Sequence, residues 1–106
     1  MIDARQWDIG KYNPVDFETL TIDNTVGGIP LTSTKVNTTP PRKKAFITCE
    51  SAQLRYTLNG TSPTSSTGHL MNPMDGLTLE GYYQMNNFRA IRVGSTSATI
   101  QVTYLI

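Results

Sequence analysis

The sequence is poor in most of what catalysis and export require. Of its 106 residues one is cysteine and one is histidine, and nine Lys and Arg against eight Asp and Glu leave a net charge of +1. A lone Cys49 excludes an intramolecular disulfide framework and a cysteine-rich zinc site. Set in the alternating run AFITCES, it reads as a small buried hydrophobe rather than a reactive thiol. The near-zero charge provides no field for drawing in nucleic acid or an acidic membrane, so partners must be recognised by shape and local chemistry. No stretch approaches the roughly 18 apolar residues of a membrane span. The first residues, MIDARQWDIGKYNP, hold no apolar core of a secretion signal, so the chain reads as soluble and not exported by that route.

The single imidazole, His69, has no partner that spacing supplies, and it reads as a surface histidine at a strand end. The acidic residues are scattered without the Asp/Asn ladder and central glycine of a calcium loop. The expectation is therefore a protein with no catalytic residues, metal or cofactor. Two Asn-x-Thr triplets, at Asn37 and Asn59, are incidental in a chain read as not secreted.

Ser and Thr are abundant while Ala, Leu and Glu are sparse, which disfavours helices and suits strands joined by hydroxyl-rich turns. The clearest period-two run is SATIQVTYLI, with Ala98, Ile100, Val102 and Tyr104 on one face and Thr99, Gln101, Thr103 and Leu105 on the other. AFITCES and AQLRYTL read as adjacent strands, LTLEG as another, and TLTID and IPLTSTKV as two more. YYQMNNFRAIRVG is assigned to a strand because Asn86 and Asn87 interrupt any helical pattern. Asn59-Gly60 supplies a tight turn, and TSPTSST after it reads as a satisfied loop too polar to be covered. About seven or eight short strands with regular turn signals give an all-β antiparallel β-sandwich of immunoglobulin-like or jelly-roll type. The sandwich spans 19–106 and an extended arm 1–18.

The arm carries Trp7, Tyr12 and Phe17 at intervals of five, aromatics that require a surface to lie on. Two placements stand open: the arm folds back over its own sandwich, or it docks on a neighbouring subunit. Arg42, Lys43 and Lys44 form the only basic cluster, read either as a solvated loop or as a contact with an acidic partner surface. These six residues are the candidate partner-binding set. Arg89 and Arg92, in FRAIR, are suited to bracing a carboxylate within the fold or across a contact, the former being favoured.

The stretch LRYTLNGTSPTSSTGHLM, then LTLEG, then NFRAIRVGSTSATIQVTY, resembles a pattern found in small virion structural proteins of tailed bacteriophages. It covers roughly residues 45–104, VGGIPLT fits it as well, and residues 1–18 fall outside it. Separately, YTLNGTSPT is similar to the Tyr-Thr-x-Asp-Gly-x-x-Pro-Thr turn of chitobiase C-terminal-like domains, immunoglobulin-like accessory modules, with Asn59 in place of the usual Asp.

Both resemblances imply a sandwich. The first implies a non-enzymatic decoration or cement protein of the phage head, a homo-oligomer such as a trimer. It would bind the major capsid protein or other virion proteins, not nucleic acid or membrane, and would assemble in the host bacterial cytoplasm into the particle. A head–tail connector or tail-associated protein fits the same pattern. The second resemblance implies a carbohydrate-binding or spacer module, with Tyr82 and Tyr83 stacking on sugar faces. On the phage reading, a chain lacking residues 1–18 is expected to fold yet fail to attach to capsids or to self-assemble.

Overall fold

The period-two run near the end of the chain becomes an interior strand of the larger of two sheets. In the computed structural model, which describes residues 11–106, this strand is Ala98–Leu105, the last of seven among the described residues. In chain order they are β1 (Pro14–Ile22), β2 (Lys44–Glu50), β3 (Leu54–Thr57), β4 (His69–Met71), β5 (Gly76–Glu80), β6 (Arg89–Arg92) and β7 (Ala98–Leu105). The order β1-β7-β2-β5 makes one sheet and β4-β3-β6 the other, with every pairing antiparallel. The protein is an all-β sandwich, as the residue pattern implies.

The two inner faces enclose the apolar positions that the alternation selects. Ala98, Ile100, Val102 and Tyr104 of β7 are fully buried, and Ala45, Ile47 and Cys49 of β2 stand beside them. Leu54 and Ala90 of the smaller sheet and Phe88, just before β6, close the core from the other side, and Tyr56 stacks on Phe88 at 6.0 Å between ring centroids. Each fully buried Ile, Val or Phe contributes about 1.5–3 kcal/mol of transfer free energy. Cys49 is the small core hydrophobe expected; its thiol donates to the Ala52 carbonyl at 3.3 Å, and burial raises its pKa.

Four expectations are corrected. AFITCES and AQLRYTL do not pair: β2 lies between β7 and β5, while β3 is the centre of the other sheet. Ser51, at φ +77°, helps to carry the chain between layers, and alternation within a strand holds no information about which strand it joins.

IPLTSTKV is not a strand beyond one residue. Ile29 exchanges two backbone bonds with Ala90, at 2.6 and 3.0 Å, and then Ser33–Val36 forms a helical turn. The Thr32 amide and hydroxyl both donate to Glu18, so no ladder continues there, and the turn delivers Val36 to the core.

YYQMNNFRAIRVG divides, with Tyr82–Asn87 helical and only RAIR extended. Gly81, at φ +84°, swings the chain out of β5, and the Glu80 amide donates to Gln84 Oε1 at 2.8 Å, closing the first turn. Met85 is the residue the helix buries. Its need for the core outweighs the interruption by two asparagines.

The hydroxyl-rich loop is exposed, as expected of it, apart from Pro63, and its backbone is tied to the sandwich. Arg55 donates to the carbonyls of Ser65 (3.1 Å) and Gly68 (2.9 Å), Thr64 and Thr67 bond each other's backbone, and Pro63 is fully buried. The ring of Pro63 packs against Gly28, whose φ is +82° and where an added Cβ would lie 3.0 Å from Pro63 Cδ and 3.1 Å from Arg89 Cβ. Gly28→Ala is therefore expected to lower stability by about 2–3 kcal/mol, from left-handed strain plus overpacking. Gly27→Ala, at φ +92° with nothing within 4 Å, loses only the strain term of about 1 kcal/mol. Thermal unfolding of the two variants separates packing from backbone; equal losses would show that the Pro63 contact carries nothing.

The expected boundary between arm and sandwich at residue 18 is the fourth correction. Residues 14–18 are the first half of β1, paired with the end of β7, so Phe17 and Glu18 belong to the sandwich.

Candidate partner-binding surface

Because β7 turns its even-numbered residues inward, its odd-numbered ones and their cross-strand partners form the outer face of the larger sheet. Register then places Phe17, Thr103, Phe46 and Thr78 side by side across all four strands. Phe17 is 54% exposed, Val15 two residues before it 40%, and Phe46 half-buried. The neighbouring row on one side is a polar network: Thr19 Oγ1 donates to Gln101 Oε1 at 2.6 Å, and Gln101 Nε2 to Glu50 Oε1 at 3.0 Å. On the other side lie Leu105, Lys44 and Glu80, with Lys44 Nζ 3.1 Å from Glu80 Oε1 and 4.7 Å from the centre of the Tyr12 ring. An aromatic stripe thus runs between two rows whose polar groups are already engaged.

The residues expected to bind partners have different fates. Trp7 lies outside the described residues. Tyr12 is drawn onto its own domain through Lys44, the self-packed alternative for that part of the arm. Phe17 stands exposed in β1. Arg42 donates to the carbonyls of Lys35 (3.1 Å) and Pro40 (3.2 Å) and lies 3.8 Å from Asp16, so its charge is used internally. Lys44 is buried and ion-paired, and Lys43 is exposed. Three consecutive basic residues therefore do not make one basic surface. Asp16 receives Lys35 Nζ at 3.0 Å, and that bond, with the Phe17 amide, holds its carboxyl below the usual range.

His69 is exposed, with its ring 5.3 Å from that of Tyr56. Among the described residues no three His, Cys, Asp or Glu side chains are grouped to hold a metal ion. Arg92 donates to Ser97 Oγ at 3.4 Å rather than to a carboxylate, and its charge lowers the pKa of Asp23 behind the larger contribution of Thr25.

Two features escaped the sequence reading. Phe46 was legible in principle: flanked by inward Ala45 and Ile47, it had to face outward beside β1. Glu18 was not, because its partners Thr32 and Tyr104 are 14 and 86 positions away. Comparison with protein-family models, with curated proteins and with solved structures finds no match for this chain.

Proposed function

We propose that this chain is a non-enzymatic structural protein of a bacteriophage particle, a decoration or cement protein that attaches to the shell of major capsid protein. The observation that carries the attachment is the Phe17–Phe46 stripe, apolar surface left open on an otherwise Thr-rich sheet face. Exposed aromatics rimmed by polar groups are the anatomy of an interaction site, and buried aromatics dominate interface energies. The assignment of that attachment to a virion is supported by the resemblance of residues 45–104 to small phage structural proteins. A connector or tail position would use the same surface.

Phe17→Thr tests the reading, since Thr retains strand propensity and the side chain is more than half exposed. The expected result is an unchanged unfolding midpoint with attachment to undecorated capsids weakened roughly 30-fold, the effect of about 2 kcal/mol at an anchor residue. Undiminished attachment moves the interface elsewhere.

The carbohydrate reading keeps one observation in its favour. Tyr82 and Tyr83, 45% and 78% exposed, meet edge to face at 5.6 Å on the short helix after β5. Binding across a glycan panel that Tyr83→Ala abolishes would promote it over the virion reading.

A further inference from the structure

The arginines of the described chain fall into two groups. Arg42, Arg55 and Arg92 each donate to oxygens of their own domain, whereas the Arg89 side chain makes no hydrogen bond or ion pair among the described residues. It is half-buried at the start of β6, on the wall of a groove of about 370 Å³ between the Ser33–Val36 turn and the Tyr82–Asn87 helix. Leu31, Val36 and Met85 supply an apolar floor, and Ser33 and Asn86 line the rim. The hydroxyl of Ser33 and the amide of Asn86 also make no side-chain hydrogen bond among the described residues, so further donors line the same groove. Glu18, which meets Thr32 on that side, does not neutralise Arg89: its oxygens take the Tyr104 hydroxyl and the amide and hydroxyl of Thr32.

A planar guanidinium in a groove with apolar walls, partly shielded from water, favours a two-oxygen acceptor over a point anion. We infer that the groove at Arg89 binds an acidic side chain of a partner polypeptide, an Asp or Glu flanked by an apolar residue, with the carboxylate on Arg89 and the apolar neighbour on Leu31, Val36 and Met85. The occupant follows from charge complementarity: one uncompensated cation, no carboxylate lining the groove, and room for one side chain and its neighbour. This site is separate from the Phe17 stripe and stands whether or not that stripe is the attachment surface.

The probe is a blocked pentapeptide, acetyl-Gly-Leu-Asp-Leu-Gly-amide, titrated into the full-length ¹⁵N-labelled chain, with the Asn peptide as its uncharged counterpart. Saturable shifts are expected at the amides of Ser33, Met85, Asn86 and Arg89, with the Asn peptide binding about tenfold or more weakly, as loss of a charge-assisted pair requires. Arg89→Ala is expected to weaken the Asp peptide at least about tenfold and Arg89→Lys by an intermediate factor, because Lys keeps the charge but not the fork. Raising the salt should weaken the wild-type interaction. Equal binding of the two peptides, unchanged binding by a folded Arg89→Lys or Arg89→Ala variant, shifts confined to other surfaces, or no saturable shift would each overturn the assignment.

Discussion

Glu18→Leu is expected to lower the unfolding free energy by about 3–4 kcal/mol, the largest loss from any single polar substitution proposed for this chain. Glu18 is a carboxylate on the inner face of β1, only 9% exposed, that accepts from the Tyr104 hydroxyl, the Thr32 hydroxyl and the Thr32 amide. Leucine fills the space but leaves those donors without an acceptor, and each orphaned buried donor costs about 1–3 kcal/mol. Against a typical total stability of about 5–15 kcal/mol, the variant is expected to be marginal at 37 °C. Urea unfolding followed by far-ultraviolet circular dichroism measures the loss. Tyr104→Phe removes one donor and leaves Glu18 with the two from Thr32, so its expected loss is smaller, about 1–2 kcal/mol. If Glu18→Leu proved neutral, the carboxylate would not be what ties β1 to the Thr32 corner.

The same pair fixes how stability responds to alkali. Burial, then the bond to Glu18, pushes the Tyr104 phenol far above its ordinary 10.0. Above pH 10 the unfolded chain gives up that proton while the folded chain keeps it, so the unfolded state binds fewer protons and stability falls as pH rises. The contribution is complete below the ordinary value and is lost progressively above it. Tyr56 and Cys49 are also raised, chiefly by burial, from 10.0 and 9.0, and add to the slope in the same direction. Tyr104→Phe should therefore flatten the alkaline limb without abolishing it, and an unaltered limb would assign the dependence to the other two.

What could be read from the residues divides along a physical line. Ala98, Ile100, Val102 and Tyr104 were legible because a strand half covered by a second layer imposes a period of two on its own sequence. Cys49 was legible because its neighbours Ala45 and Ile47 fix its face. Pairing was not, since β2 obeys the same alternation whether it lies beside β3 or between β5 and β7. Tyr82–Asn87 became a helix to bury Met85, a demand made by the core and not by local propensity. The candidate surface shows the same division. Phe17 and Phe46 meet across Thr103 only because β7 inserts between their strands, and Arg42 and Lys44 lose their charges to Asp16 and Glu80, which lie far along the chain. Aromatic residues can be singled out from a sequence; whether they share a face depends on register.

Removing the start of the chain is expected to have two outcomes, depending on where the cut falls. A chain lacking residues 1–10 retains every described strand and should unfold in a single cooperative transition. A chain lacking residues 1–18 loses Pro14–Glu18 of β1, and with it the Asp16 contacts to Lys35 and Arg42, the Tyr12 ring over Lys44, and the Glu18 acceptor. Its expected loss is roughly 5 kcal/mol or more, enough to abolish folding of a marginal domain, whereas the residue pattern alone implies that it folds. The shorter deletion then decides which aromatic holds the partner. If capsid attachment survives loss of residues 1–10 but not Phe17→Thr, the sheet stripe is sufficient. If it fails with the fold intact, Trp7 is the anchor, and its removal should match the roughly 2 kcal/mol of a buried aromatic hot spot. Cooperative folding of the longer deletion would show that the first half of β1 is dispensable, and that the Glu18 bond to Tyr104 between β1 and β7 is not required for the fold.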